Sequence, residues 1–151
     1  MKILVVSDSH QHLEKLIDIF EKENPDIVIS AGDNSSDVID LSNIKEKADY
    51  YIVRGNCDYF DFKTDDIEEF NIAGKKIFLT HGHLYDVKSG YEKIKNEALK
   101  KQADIVIFGH THIPYLNNET PVLFNPGAAK DGNYGTIDIS GDEIKFYHKK
   151  L

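Results

Sequence analysis

What this chain has little of narrows its class before any motif is read. Its 151 residues contain one cysteine, Cys57, which excludes an intrachain disulfide and fits a reducing compartment. Long apolar runs are missing too. Stretches such as Ile3 to Val6 and Ile105 to Phe108 are far too short to span a bilayer. Met1-Lys2 leads straight into the first of these without a signal-peptide core. There is no basic tract, and the formal net charge of −8 repels an extended nucleic-acid backbone over most of the surface. The expectation is a cytoplasmic protein with no membrane partner, no extended nucleic-acid partner and homo-oligomerisation left open. Small phosphorylated ligands stay admissible if bound cations reverse the local field. By length the chain reads as one domain, residues 1–151, large enough for a real core.

What is present begins with Ile3 to Val6, an aliphatic run suited to a central strand buried on both faces, followed at once by Asp8 and His10. Two residues apart on an extended backbone, those side chains point the same way beyond the strand's C-terminal edge, where open α/β folds bind ligands. Leu13, Leu16, Ile17 and Phe20 then form one stripe of an amphipathic helix ending before Pro25. A second buried strand, Asp26 to Ser30, runs into Gly32-Asp33 and completes a βαβ unit. Ser35 to Ala48 reads as a less regular helix broken near Ser42-Asn43. A third strand, Tyr50 to Val53, leads to Gly55-Asn56-Cys57-Asp58.

The acidic stretch Asp61 to Glu69 reads as a surface connection to an edge strand near Phe70 to Ala73. Lys75 to Thr80 then delivers His81-Gly82-His83. Ser89 and Glu92 match a capping box opening a helix with Tyr91, Ile94, Ala98 and Leu99 on one side. Ala103 to Phe108 delivers Gly109-His110-Thr111-His112. Four short strands follow, Tyr115-Leu116, Val122 to Phe124, Thr136 to Ile139 and Ile144 to Tyr147, separated by turn residues and expected as antiparallel hairpins rather than further βαβ units. The fold class is therefore α/β, with two sheets packed face to face and helices outside.

Five strand ends thus carry polar clusters: Asp8 and His10, Asp33, Asn56, His81, and His110 with His112. Two carboxylates, one amide and four imidazoles, with no hydroxyl nucleophile beside a base, suit first-row divalent metals better than calcium or magnesium. Seven ligands exceed what one ion takes, and a bridging carboxylate would divide them into two shells of four. His12, facing out of the first helical turn, and His148, near a frayed C-terminus, are expected to be structural.

Asp8-Ser9-His10, Gly32-Asp33, Gly55-Asn56-Cys57-Asp58, His81-Gly82-His83 and Gly109-His110-Thr111-His112 together resemble the ordered signature of calcineurin-like metallophosphoesterases. The short chain, the Asn125-Pro126-Gly127 turn and the hairpin tail look like the small YfcE-type phosphodiesterase branch. The resemblance implies a four-layer αββα sandwich of two mixed sheets, and two divalent transition-metal ions, manganese first with nickel, iron or zinc as alternatives. One ion would take Asp8, His10, Asp33 and His112, and the other Asp33, Asn56, His81 and His110, with Asp33 bridging. The implied reaction is hydrolysis of a small phosphodiester by metal-activated water, with Asn56, Asp58 and His83 as the remaining catalytic candidates. His83 would bind phosphate or orient His81. The chain departs from the superfamily at Cys57, where a histidine usually serves as acid for the leaving group. A buried filler is the bland reading of that cysteine. A retromer subunit of similar fold supplies the alternative, a metal-binding interaction scaffold without catalysis.

Overall fold

The computed structural model describes residues 1–151 and contains two five-stranded mixed sheets with three α-helices. The aliphatic runs Ile3–Val6 and Ile27–Ile29 let β1 (Lys2–Val6) and β2 (Ile27–Ser30) bury both faces, and they pair in parallel with Ile3 opposite Ile27. Parallel β3 (Asp49–Ile52) extends this sheet on one side, and the hairpin β9 (Asn133–Ser140) and β10 (Glu143–Lys150) extends it on the other, β9 running antiparallel to β1. In the second sheet β5 (Lys75–Thr80), β6 (Ile105–Ile107) and β8 (Val122–Asn125) are parallel, with β4 (Ile67–Ile72) and β7 (Tyr115–Asn117) antiparallel at the edges.

Alternation along the strands makes the layers. Ile3, Val5, Ile29, Leu79, Ile107 and Ile137 fill the space between the sheets. Leu4, Val6 and Val28 face the other way, onto Leu16, Ile19 and Phe20 of α1 (Leu13–Glu23) and Val38 and Leu41 of α2 (Ser35–Ile44). Phe78 and Val106 of the second sheet meet Ile94 and Ala98 of α3 (Glu92–Lys100) in the same manner. This is the expected αββα sandwich. No helix is long and apolar enough to cross a membrane.

Several local expectations need correction. α2 runs unbroken through Ser42-Asn43, where the Ser42 hydroxyl donates back to the Ile39 carbonyl of the preceding turn at 2.7 Å and is satisfied within the helix. The capping box at α3 does not form: Ser89 donates to Asp86 Oδ1 at 3.0 Å, and the helix begins only at Glu92. Leu99, placed on the apolar side of that helix, is exposed. β4 starts at Ile67, inside the stretch read as a connection, since pairing with β5 outweighs its poor pattern. Both C-terminal hairpins form, yet β8 also lies parallel to β6, reached through β7 and not through a helix. His148 is not frayed: it sits in β10, its Nε2–H donates to Asn125 O at 2.8 Å, and its ring stacks on Phe124.

Candidate metal centre

The ends of β1, β2, β3, β5 and β6 are followed by residues 7–12, 31–34, 54–58, 81–83 and 109–112, and bonds among these loops hold them at one edge of the sandwich. Asp8 N donates to Gly32 O, Ser9 N to Asp33 O and Gly109 N to His81 O, at 2.9, 3.2 and 3.0 Å. Their backbones are unusual. Asp8, His10, Asp33, His110 and His112 all have left-handed φ, between 45° and 68°. Non-glycine residues rarely occupy this region, and five of them at one place is a concentration of strain of the kind that accompanies function. Glycine permits the close approach: a Cβ at Gly109 would collide with Ser7 Oγ and Asp8 Oδ2, and one at Gly55 with the Asp33 carboxylate.

Each carboxylate is held by one oxygen. Asp8 is wholly buried, and its Oδ2 accepts from Ser7 Oγ at 2.6 Å and His110 N at 3.1 Å. Its Oδ1 has no hydrogen-bond partner. That oxygen faces three imidazoles, 3.0 Å from His112 Nε2, 3.6 Å from His10 Nε2 and 3.9 Å from His81 Nε2. Asp33, equally inaccessible, accepts from Cys57 N at 2.9 Å through Oδ1 and turns Oδ2 to His81 Nε2 at 3.4 Å and His10 Nε2 at 3.7 Å.

His81 is fully buried, and its Nδ1–H donates to Ala31 O at 2.7 Å. A carbonyl only accepts, so the proton is on Nδ1 and the Nε2 lone pair of the neutral ring faces two carboxylates. His110 Nδ1 lies 3.2 Å from that same Nε2. Burial opposes a charged His81, but the Asp33 hydrogen bond and the Asp8 and Asp33 charges outweigh it, so its pKa is raised. Burial of Asp33 is likewise outweighed by His81, and its carboxyl lies well below the usual range. Burial and the His81 charge lower His110 to about 4.

Asp8, His10, Asp33, His81, His110 and His112 are thus brought together. Asn56 is exposed, and its side-chain amide points to Cys57 Sγ at 3.7 Å. Cys57 stands in its place, with Sγ, a His10 ring nitrogen and an Asp33 oxygen all within 4.8 Å of one another. Cys57 is exposed, which removes the buried-filler reading, and desolvation followed by the Asp33 charge pushes its thiol up to about 11. Asp58, expected to take part in the chemistry, has both oxygens engaged by backbone: Oδ1 accepts from Asn34 N and Ser35 N and Oδ2 from Asp33 N and Gly55 N, at 2.7 to 3.1 Å. His83 opens a short 3-10 turn with its ring centroid 5.5 Å from His81 and its Nδ1 buried without a partner. His12 pairs with Glu14 outside the site.

Two supports escaped the sequence reading. Asp37 of α2 accepts from Ser9 Oγ at 2.6 Å and Gln11 N at 2.9 Å, bracing the loop after β1. Asn125, fully buried, donates to Gly109 O and Thr111 Oγ1 at 3.0 Å each and braces the loop after β6. The sequence signal for the second was the Asn125-Pro126-Gly127 turn, which shows a turn but not the reach of its amide.

The residues fit divalent metal. Three donor groups, Asp8 with His10 and His112, Asp8 with Asp33 and His81, and His10 with Asp33 and Cys57, overlap through shared members. The unpartnered Asp8 Oδ1 and His10 Nε2 are buried donors aimed inward, and mixed carboxylate and imidazole sets suit first-row transition ions.

Fold and donor set define a metallophosphoesterase-type centre, and the model of the calcineurin-like phosphoesterase superfamily domain matches residues 1–149: the chain belongs to that superfamily. It is 35% identical to a phosphodiesterase of Methanocaldococcus jannaschii, over 99% of this chain and 98% of that protein. Against the phosphodiesterase YfcE of Escherichia coli the identity is 27%, over 91% and 88%. Among solved structures, Vps29 of Entamoeba histolytica in complex with zinc is similar with a TM-score of 0.82 at 22% identity, covering all of this chain and 93% of that one.

Proposed function

We propose that this protein is a dinuclear metal-dependent phosphodiesterase acting on small phosphodiesters, with manganese as the preferred ion and the cytoplasm as its compartment. The observation that carries the reading is the overlap of three donor groups on Asp8 and Asp33, with a buried Asp8 oxygen that no protein group satisfies. One ion would be held by Asp8, His10, Asp33 and His112. The other would be held by Asp33, His81, His110 and Asn56, whose side chain turns in from Cys57. Bound there, divalent ions supply the nucleophile by acidifying water and offset charge on the phosphoryl oxygens.

The chain's own groups do the rest. Ala31 O keeps the His81 proton on Nδ1, so Nε2 stays a donor atom toward the centre. Asp58 fixes the backbone of Asp33. His83, half-buried beside His81, would contact a phosphoryl oxygen in this reading. Ser7 and Ser9 are buried and give their hydroxyls to Asp8 and Asp37, and with metal-activated water as the nucleophile the reaction requires no phosphoenzyme. The relatives named phosphodiesterase support the same reaction. Likeness to Vps29 concerns the fold alone.

The test is metal analysis and turnover of bis(nitrophenyl) phosphate by manganese-loaded protein. We expect two ions per chain, loss of both in Asp33→Asn, and a fall in rate of about 100-fold or more in His81→Ala and His110→Ala. Loaded protein that holds its ions but turns over no diester would leave the scaffold reading.

A further inference from the structure

A cleft of about 610 Å³ opens beside the metal centre and shares Cys57 with the donor group of His10 and Asp33. It is within the size range of pockets that take small organic ligands. Its lining mixes polar Gln11, Asn34 and Ser36 with apolar Ile39, Tyr59 and Phe60. No lysine or arginine lines it. Two acids do, but their oxygens are engaged: Asp58 by four backbone N–H groups, and Asp61 by Ser35 Oγ, Lys63 N and Thr64 N.

The aromatic wall is exposed yet anchored. Tyr59 and Phe60 are 73% and 91% exposed. Their segment is tied down by the Asp61 contacts and by Arg54 Nη1, which donates to Asp61 O at 2.7 Å. Open aromatic faces on a fastened segment, next to a centre for phosphate, are what a stacking platform requires. A lipid chain would need a continuous apolar lining, which Gln11, Asn34, Ser35 and Ser36 interrupt. A second anionic group would find no cation and an acidic surround.

We propose, building on the phosphodiesterase reading, that this cleft holds the organic group of the substrate, and that the group is an uncharged aromatic heterocycle of nucleoside size. The phosphate lies at the metal centre and the ring against Tyr59 and Phe60. The substrate class is then a nucleoside monophosphate diester carrying no further anionic group.

The experiment separates binding from turnover. Manganese-loaded protein is titrated calorimetrically with thymidine 5′-phosphate and with methyl phosphate, for wild type, Phe60→Ala and Ile39→Ser. In parallel, hydrolysis of thymidine 5′-(nitrophenyl phosphate) is compared with that of methyl nitrophenyl phosphate. The nucleotide should bind about tenfold or more tightly than methyl phosphate to wild type, and each variant should shrink that ratio toward unity. Equal binding of the two ligands by wild type overturns the inference, whether or not either diester is cleaved. A binding preference without hydrolysis supports the cleft assignment and overturns the hydrolase reading instead. If wild type self-associates, and Phe60→Ala makes it monomeric with the ligand ratio unchanged, the aromatic wall is an interface between copies and the inference falls.

Discussion

A protonated imidazole between two carboxylates and a metal ion between the same carboxylates are two answers to one electrostatic problem. His81 gives the first in the metal-free protein: its Asp33 hydrogen bond and the two acids overcome burial and raise its pKa. A raised folded value means the ion pair stabilises the metal-free fold below the ordinary histidine range and loses that contribution as pH climbs through the raised value. Metal must displace this proton, so affinity should rise with pH over the same window. His110 behaves oppositely. Lowered to about 4, it is already neutral near pH 7 and has no proton to give up. We expect metal binding below the raised His81 value to release the proton of that ring, with the release fading as pH rises through it. Calorimetry in two buffers of different ionisation enthalpy measures it. Release of the same size in His81→Gln would show that the proton comes from elsewhere.

Elements decide how much of this could be read beforehand. The strands were legible because Ile3 to Val6, Ile27 to Ile29 and Ile105 to Phe108 are aliphatic on both faces, and the polar residues after each run marked one edge. Packing of the sheets then gathers Asp8 and Asp33 with four histidines, as the spacing implied. The turn of Asn56 toward Cys57 was not legible, since neighbouring residues in one loop compete for one direction. Nor was the cap of α2. Its own N-cap position, Asn34, is left-handed at φ 66° and makes no side-chain cap, and the acceptor comes from Asp58, more than twenty residues on in an acid-rich loop. Pattern rules look for a cap inside the helix's own first residues. Asp58 also holds Asp33 N, so it joins helix stability to ligand position. Asp58→Ala should therefore lower stability by about 1–2 kcal/mol and weaken metal affinity about 10–100-fold together. Thermal unfolding of metal-free protein and a metal titration report the two effects. Lost stability with unchanged affinity would confine Asp58 to capping.

On the scale of the whole molecule, a net charge of −8 is compatible with an anionic substrate only if charge is reversed locally, which two divalent ions beside Asp8 and Asp33 would do. The remaining acids must be accommodated otherwise, and buried Glu23 shows how. It lies at the end of α1 and accepts from Tyr134 OH of β9 at 2.8 Å, Lys149 Nζ of β10 at 2.8 Å and Lys2 Nζ of β1 at 3.2 Å. One carboxylate thereby fastens a helix to three strands of the first sheet. Its burial raises the pKa, but Lys149, Tyr134 and Lys2 outweigh that and lower it. A lowered folded value stabilises above the ordinary glutamate range, and the contribution is lost as pH falls through the folded value. Removing one member of a buried pair costs about 3–5 kcal/mol, but both lysines are about a third exposed, and screening reduces the loss. Glu23→Gln should cost about 1–3 kcal/mol at neutral pH, because an amide still accepts from Tyr134 but carries no charge for the lysines. Tyr134→Phe, which spares the ion pairs, should cost about 1 kcal/mol. Denaturant unfolding of both variants and wild type, from neutral pH into the acid range, makes the comparison. The Glu23→Gln deficit should shrink as wild-type Glu23 takes up its proton, while the Tyr134→Phe deficit changes less. A Glu23→Gln deficit constant across that range would mean the carboxylate acts through shape and hydrogen bonding alone, and that its charge contributes nothing to holding α1 on the sheet.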